Sequence, residues 1–293
     1  MEIECVADVR AGTGECPVWS VDEQVLWWVD IPAAKLHRFD PASGEDHASD
    51  LPSPCGAFAL RERGGMLLAL KSGLHLSDPD TGLLTVAQPP PFDHPDDRFN
   101  DGRTDPKGRF WVCSMRDPQD PEARAGELFR IGPDLSLTRQ IDGLITGNGL
   151  AFSPDGRTMY LSDSHAHVQT IWAFDYDPEA GTLANRRVFV DMAEQEGRPD
   201  GAAVDAEGGY WIAANTGWQL IRFTPAGEVE RRVRLPVRRP TMCCFGGPDL
   251  DEIYVTTQSP QGDETLEGQP QAGGLFRIRG LGIEGRPEPK FAG

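Results

Sequence analysis

Hydrophobic and polar positions along this chain follow a repeating pattern of short apolar segments, tight turns and aromatic or aliphatic runs. Each turn is built from Pro, Asp or Gly, and the run that follows it is typical of a β-strand. The clear copies read WSVDEQVLW, TDPKGRFW, FSPDGRTMY and VDAEGGYW, and two weaker copies read LRERGGMLL and FGGPDLDEIY. Their markers are Trp27, Leu67, Trp111, Tyr160, Trp211 and Tyr254. The pattern therefore predicts six copies of one β-rich repeat.

A second family of turns alternates with the first. It comprises residues 39–44, 78–82, 177–181 and 224–227, each about one hairpin later than a turn of the first family. Two hairpins give four strands, and a marker spacing of 40 (Trp27 to Leu67) to 51 residues (Tyr160 to Trp211) suits a four-stranded blade. A β-sandwich is the alternative, but its turns do not alternate between two kinds at a fixed offset. We therefore predict an all-β fold, a six-bladed β-propeller, as a single domain over residues 1–293.

The charge and composition of the chain exclude some classes of binding partner. Asp and Glu number 46 against 28 Lys and Arg, a formal net charge of −18, which repels nucleic acid phosphates and anionic membrane surfaces. The amino terminus carries neither a basic region nor an apolar run, so we expect a cytoplasmic protein. The six cysteines include no C-x-x-C pair, and we expect most of them to be small buried residues. No obligatory protein partner is indicated, since a closed propeller has no interface that it must bury.

Four oxygen-bearing side chains occupy the same position in four of the repeats. Each lies five residues before the first residue of an inner turn, and the four are Glu15, Asn100, Asn148 and Asp200. The strand that enters this turn is the one nearest the central channel, so we expect the four side chains at one mouth of the channel. The same count reaches Gly56 and Met242 in the other two repeats. We expect the ring to be open on those sides, which would leave room for a substrate.

A ring of oxygen donors with two carboxylates predicts a cation. Ca²⁺, Mg²⁺ or Mn²⁺ fits best on grounds of hardness, and Zn²⁺ or Fe²⁺ also binds carboxylates. Taken singly, each side chain could instead cap a turn, but their shared position favours a metal site. His165 and His167 could add zinc ligands or form a solvated loop at the mouth. Arg98, two residues before Asn100, is either a counter-ion or a clamp for a substrate oxygen.

Several motifs carry a family resemblance from end to end. They include GECPVW at residues 14–19, RFNDG at 98–102, GNGL at 147–150, PDG at 199–201 and QAGGLF at 271–276. With these motifs the chain resembles the senescence marker protein, regucalcin and gluconolactonase family, six-bladed propellers that hydrolyse sugar lactones with one divalent cation. The resemblance implies that Glu15, Asn148 and Asp200 hold the metal, with Ca²⁺ the first candidate, and that Asp200 is the catalytic base. It also implies that Arg98 and Asn100 bind the substrate, and it leaves open whether Asn100 also ligates the metal.

One departure from the family concerns substrate preference. Regucalcin-type members carry an acidic pair after the third blade's second strand, whereas here Met115 is followed by Arg116, Asp117 and Pro118. Asp117 is the one candidate to replace that pair. We expect hydrolysis of an aldonolactone such as gluconolactone, xylonolactone or arabinonolactone. The alternatives are a calcium-binding regulator without turnover and a related propeller esterase or phosphotriesterase.

Overall fold

The structure, a computed structural model, describes residues 1–78 and 80–293. Twenty-four strands lie in these residues, together with a single turn of 3₁₀ helix at Met192–Glu194. The first twelve strands are β1 (Glu2–Ala7), β2 (Gly14–Ser20), β3 (Val25–Asp30), β4 (Lys35–Asp40), β5 (Glu45–Asp50), β6 (Cys55–Leu60), β7 (Met66–Leu70), β8 (Gly73–Ser77), β9 (Leu84–Gln88), β10 (Asp97–Thr104), β11 (Phe110–Arg116) and β12 (Gly126–Ile131). The others are β13 (Leu137–Leu144), β14 (Gly147–Phe152), β15 (Thr158–Asp163), β16 (Thr170–Asp177), β17 (Thr182–Asp191), β18 (Arg198–Val204), β19 (Tyr210–Asn215), β20 (Gln219–Phe223), β21 (Val229–Arg234), β22 (Pro240–Gly246), β23 (Glu252–Thr257) and β24 (Leu275–Arg279).

The strands form six antiparallel sheets of four strands each. Five sheets use consecutive strands, beginning at β2, β6, β10, β14 and β18. The sixth has the order β22, β23, β24 and then β1, so the first strand of the chain is the outer strand of the last blade. The predicted six-bladed β-propeller is confirmed, and the ring closes between the amino-terminal and carboxyl-terminal parts of the chain.

The innermost strand of each blade packs against the innermost strands of its two neighbours. Contacts run from β2 to β6, β10, β14, β18 and β22 and back to β2. All seven residues of β2 and of β22 are buried, whereas most of the outer strand β5 is exposed. The core therefore lies between blades, where each buried Leu or Phe side chain stabilises the fold by about 1.5–3 kcal/mol.

The turns of the first family are held by buried aspartates. Asp105 accepts a hydrogen bond from the indole of Trp111 at 3.1 Å, and Asp205 accepts one from Trp211 at 2.8 Å. Each carboxylate also pairs with an arginine of the same blade, Arg109 at 2.6 Å and Arg222 at 2.7 Å. The aromatic markers of the repeat are therefore coupled to its turns by buried polar contacts.

The second family of turns forms the outer hairpins. Residues 40–44 join β4 to β5, residues 177–181 join β16 to β17 and residues 224–227 join β20 to β21, and each turn ends on a glycine with positive φ. The fourth turn, at 78–82, contains Pro79, which lies outside the described residues. The predicted alternation of inner and outer hairpins is confirmed for the three turns that the structure describes in full.

The carboxyl-terminal tail crosses one end of the propeller. Its backbone bonds to Ala206 of the fifth blade through Glu284 O, at 2.9 Å, and to Leu60 of the second blade through Phe291 N, at 2.8 Å. Beneath it, Arg103 donates hydrogen bonds to the carbonyls of Ala202 and Cys243, and its Nη1 lies 3.5 Å from a carboxylate oxygen of Glu288. This end of the molecule is therefore covered by the chain itself, and the ring of oxygen donors lies at the other end.

Two further observations concern the cysteines and the presence of membrane-spanning helices. All six cysteines are free, and all except Cys5 are buried, which agrees with their predicted role as small core residues. Among the described residues, no helix combines the length and the apolar character that crossing a bilayer requires.

Candidate metal centre

Every inner strand that contributes to the predicted ring is irregular at the ring position. The pairing register shifts between Glu15 and Val18 in β2, between Phe99 and Gly102 in β10, between Asn148 and Ala151 in β14, and between Pro199 and Ala202 in β18. A bulge re-aims side chains and ends regular pairing. Because the irregularity recurs in each blade, it turns an equivalent side chain toward the same end of the channel.

The four predicted ring residues line one cavity. This cavity has a volume of about 480 Å³ and lies at the mouth opposite the carboxyl-terminal tail, within the size range of small-molecule sites, about 300–1,000 Å³. Glu15, Asn100 and Asn148 are less than a tenth exposed, and Asp200 is partly exposed to the cavity. The structure thus brings together residues that are up to 185 positions apart in sequence, from Glu15 to Asp200.

The two amides of the ring are joined by hydrogen bonds. Asn100 Nδ2 donates to Asn148 Oδ1 and to Gly147 O, both at 3.0 Å. Arg98 Nη1 donates to Asn100 Oδ1 at 2.8 Å, and Asn148 Nδ2 donates to Ser164 Oγ at 2.8 Å. Both amide orientations are therefore fixed. Each amide oxygen accepts one hydrogen bond, that of Asn100 from Arg98 and that of Asn148 from Asn100, so each keeps a lone pair for a cation or a substrate.

The two carboxylates of the ring are poorly compensated by the protein. Glu15 Oε2 accepts one bond from the Cys16 N–H at 3.1 Å, and Asp200 Oδ2 accepts one from Asn215 Nδ2 at 3.0 Å. Burial, followed by the charges of Asp200 and Asp101, raises the pKa of Glu15 well above its ordinary value. Burial likewise raises the pKa of Asp200 from 3.8 to about 7. Ionising both groups here requires additional positive charge.

The donor set fits a hard divalent cation. Glu15, Asn148 and Asp200 supply oxygens of the kind that Ca²⁺, Mg²⁺ and Mn²⁺ prefer. Asp101 is outside the cavity lining, but in addition to burial its charge raises the pKa of Glu15 and of Asp200, and its buried Oδ1 has no hydrogen-bond partner. Across residues 1–78 and 80–293, no group of three or more His, Cys, Asp or Glu side chains is arranged as a metal site. A cation at the ring would therefore depend on the amide oxygen of Asn148 and on water or substrate.

Two details of the predicted ring are wrong. In the sixth blade the residue that lines the cavity is Thr241, whereas Met242 is fully buried and would contact a Cβ placed on Gly201. In the second blade the position of Gly56 is not open. A Cβ there would lie 2.3 Å from the carbonyl oxygen of Phe99, so this glycine permits the close approach of strand β10 and leaves no room for a substrate.

A second ring lies two residues before the first along the chain, within or just before the same inner strands and nearer the mouth. Strand period places residues i and i−2 on the same face, and the members of this second ring all line the cavity: Thr13, Arg98, Thr146, Arg198 and Arg239. We call Arg98, Arg198 and Arg239 the mouth arginines. Arg98 pairs with the exposed Asp117 at 2.7 Å and donates to Asn100, so the predicted substrate residues Arg98, Asn100 and Asp117 form one hydrogen-bonded group.

His165 and His167 lie in the loop between β15 and β16, at the same end of the molecule. Their rings are 4.8 Å apart, His165 is half-buried and His167 is exposed. The backbone N–H of His165 is held by Asp163 at 3.1 Å. In the described part of the chain no third ligand joins them, which favours the solvated loop over the zinc pair.

The sequence of this chain matches the family model described as SMP-30/Gluconolactonase/LRE-like region over residues 13–259. The chain belongs to this family. A 6-deoxy-6-sulfogluconolactonase of Pseudomonas putida is 41% identical over 294 residues, 99% of each chain. A regucalcin of Xenopus laevis is 39% identical over 299 residues, which cover 100% of this chain and 99% of the other. The resemblance expected from the sequence motifs is confirmed.

A solved structure agrees with the fold of this SMP-30/gluconolactonase family member. It is that of a calcium-binding protein, regucalcin, from Agrobacterium tumefaciens, with a TM-score of 0.92 and 29% identity over 98% of this chain and 96% of the other. The similarity extends over the whole propeller, so the cavity and its two rings lie within the matched region.

Sequence reasoning missed four residues of the site. Asn215 holds Asp200, Thr241 completes the sixth blade, and Arg198 and Arg239 belong to the second ring. The two arginines could have been predicted from the sequence, because each occupies in its own blade the position that Arg98 occupies in the third blade. The sequence indicated Asn215 more weakly, through its position as the last residue of β19, the strand that pairs with β18.

Proposed function

We propose that this protein hydrolyses sugar lactones to aldonic acids at the cavity lined by the ring, with the help of one divalent cation. The convergence of Glu15, Asn148 and Asp200 beside Arg98 carries this proposal, because it joins a cation-binding donor set to an anion-stabilising group in one small-molecule cavity. The family relationship and the 41% identity to a 6-deoxy-6-sulfogluconolactonase support it.

Glu15, Asn148 and Asp200 would hold the cation. Ca²⁺ is the first candidate, because the donors are oxygens and a relative of 29% identity is described as calcium-binding. Mg²⁺, Mn²⁺, Zn²⁺ and Fe²⁺ remain alternatives for the same donors. When bound, the cation supplies Lewis-acid polarisation of the lactone carbonyl.

In this proposal Asp200 acts as the base. Its pKa of about 7 in the cation-free protein reflects burial, and the hydrogen bond from Asn215 fixes one carboxylate oxygen, Oδ2. The other oxygen is left to accept a proton from a water molecule in the cavity. As that proton leaves, the water oxygen attacks the carbonyl carbon. The C–O bond of the lactone ring then breaks, and its oxygen takes the proton that Asp200 removed from water and becomes a hydroxyl group.

In this proposal Arg98 stabilises the negative charge that develops on the substrate. Its Nε is used by Asp117 and its Nη1 by Phe99 O and Asn100 Oδ1, which leaves Nη2 as the nitrogen able to donate to a substrate oxygen. Asp117 and Asn100 position this guanidinium, and Asn100 also holds the amide of Asn148. Donors fixed before the reaction stabilise a developing oxyanion without reorganisation.

A calcium-binding regulatory role is the second candidate, because regucalcins are among the relatives. Both candidates place a cation at the ring. They differ in whether lactone hydrolysis occurs, so one set of assays separates them.

The test is a panel of aldonolactones assayed by acid release against a no-enzyme blank. The protein is assayed as purified, after chelation, and after restoring Ca²⁺, Mg²⁺, Mn²⁺, Zn²⁺ or Fe²⁺ singly. We expect hydrolysis that is lost on chelation and restored by at least one cation, and that is reduced about 10²–10⁴-fold in Asp200→Asn. His167→Ala, at the same mouth but outside the cavity, is the matched control. Cation binding without hydrolysis of any lactone would favour the regulator.

A further inference from the structure

The mouth arginines differ in how the protein neutralises them. Arg98 is paired with Asp117 at 2.7 Å. Arg239 meets Glu264 through two contacts, of 2.8 and 2.7 Å, but Arg238 shares the same carboxylate at 2.7 Å. The single carboxylate of Glu264 is therefore shared by two guanidinium groups on the sixth-blade side of the mouth.

Arg198 is the least neutralised of the three. Its one side-chain hydrogen bond in the described part of the chain is a long contact of 3.5 Å from Nη2 to Asn215 Oδ1. No carboxylate of residues 1–78 or 80–293 forms an ion pair with it. Asp200 lies close enough for Arg198 to lower its pKa, but that carboxylate is already engaged by Asn215 and belongs to the ring.

Arg198 and Arg239 are neighbours in the second ring. They occupy equivalent positions in the fifth and sixth blades, whose inner strands β18 and β22 pack together. Gln258 and Gln261 line the cavity beside Arg239. The wall between these two blades therefore combines two guanidinium groups with amide side chains, which is a donor-rich surface suited to an oxyanion.

The net charge of the whole chain differs from that of the cavity, where arginines and carboxylates are equal in number. The whole protein carries −18, which suggests a preference for neutral substrates. The side chains that line the cavity nevertheless include three arginines and three carboxylates, Glu15, Asp117 and Asp200. A divalent cation held by the ring would leave the cavity positive, so an anionic substrate would be attracted rather than repelled.

We propose that Arg198 and Arg239 form a subsite for an oxyanion substituent, such as a sulfonate, on the end of the lactone substrate remote from its carbonyl. This inference rests on the proposed lactone hydrolysis and adds the substrate class. Arg198 lies two residues, roughly 6–7 Å of strand, nearer the mouth than Asp200. A substituent at the far end of a six-carbon sugar lactone would reach Arg198 while the lactone carbonyl lies beside Glu15, Asn148 and Asp200.

The first test compares two lactones that differ in the substituent alone, gluconolactone and 6-deoxy-6-sulfogluconolactone. In Arg198→Gln we expect kcat/KM for the sulfonated lactone to fall about 10–100-fold, mainly through KM, as for loss of a charged hydrogen bond. Because Arg198 also lowers the pKa of Asp200, any loss for gluconolactone is shared by both lactones, and the readout is the ratio of their kcat/KM values, which we expect to fall about 10–100-fold. Arg198→Lys should retain part of the preference, and Arg63→Gln, on an exposed turn, changes the net charge equally without touching the cavity. An equal loss for both lactones, or no loss, would overturn the subsite.

The second test does not depend on turnover. Calorimetry measures binding of gluconate and of 6-deoxy-6-sulfogluconate to the cation-loaded protein. We expect the sulfonated acid to bind more tightly, and this difference to shrink in Arg198→Gln and at high salt. If neither lactone is hydrolysed, the proposed function fails and the binding difference alone decides the subsite. Equal binding of the two acids by the unmodified protein would refute the subsite while leaving lactone hydrolysis untouched.

Discussion

Replacing Asp200 with asparagine is expected to stabilise the cation-free protein while it removes activity. The folded state raises the pKa of Asp200 from 3.8 to about 7, chiefly through burial. The folded protein therefore binds more protons than the unfolded chain between these pH values, and its stability falls as pH rises through that window and levels off above it. At about 1.4 kcal/mol per unit, the ionised carboxylate costs the fold at most about 4 kcal/mol at pH 8.

Asparagine keeps the shape of the side chain without the charge. We expect chelated Asp200→Asn to be more stable than the chelated unmodified protein at pH 8, by about 1–3 kcal/mol after allowing about 1 kcal/mol for the altered bond to Asn215. At pH 4.5 the two should differ little. Added cation should reverse the order, because saturation at 100 times Kd stabilises the unmodified protein by about 2.7 kcal/mol and the variant by much less.

The assay is denaturant unfolding at pH 4.5, 6 and 8, with and without cation. Asp205→Asn is the matched control, because Asp205 is a buried aspartate of the same blade that is paired with Arg222 and Trp211. That variant should lose about 1–3 kcal/mol at every pH. A chelated Asp200→Asn protein that is less stable than the unmodified one at pH 8 would show that the ring is not an uncompensated cluster of buried carboxylates.

Three further predictions concern other parts of the molecule. Asp117→Asn should raise KM and lower kcat no more than about tenfold, since it loosens Arg98 without removing it; steady-state kinetics checks this, and a loss as large as that of an Arg98→Met variant would contradict it. Gly56→Ala should destabilise the fold by about 1–3 kcal/mol or more, because its Cβ would overlap the backbone of Phe99; unchanged thermal unfolding would show that β6 can move away from β10. Deleting residues 1–7 should expose the edge of β24 and cause association, which size-exclusion chromatography would detect; a monomer of unchanged Tm would contradict it.

The repeat pattern predicted the architecture because turns and strands are local. Each blade carries its own turn residues and its own marker, so the alternation of two turn families specified four strands per repeat without knowledge of distant contacts. The same logic located Glu15, Asn100, Asn148 and Asp200, since blades that repeat in sequence repeat in space. Closure of the ring by β1 was not predicted, because the 36 residues that follow β23 (from 257 to 293) are long enough for two strands, so length alone does not show that the sixth blade takes a strand from elsewhere.

The errors in the ring have local physical causes. The turn of the sixth repeat allows two registers, and a slip of one residue moves a side chain to the opposite face, which is why Met242 was assigned in place of Thr241. Gly56 was interpreted as open space because its contact with Phe99 joins different blades. Whether an arginine of the second ring has a carboxylate partner depends in the same way on side chains from other parts of the chain. The spacing of the repeats alone therefore could not show that Arg98 is paired and Arg198 is not.

Joining both ends of the polypeptide in one sheet has a consequence for biosynthesis. Strand β1 is made first, but its partner β24 ends at Arg279, so the last sheet cannot form until almost the whole chain has left the ribosome. Glu15 lies in the first blade and Asp200 in the fifth, and the sixth blade, which is completed last, lies between them. A cation held at the ring as proposed would therefore be bound only after this last sheet has formed.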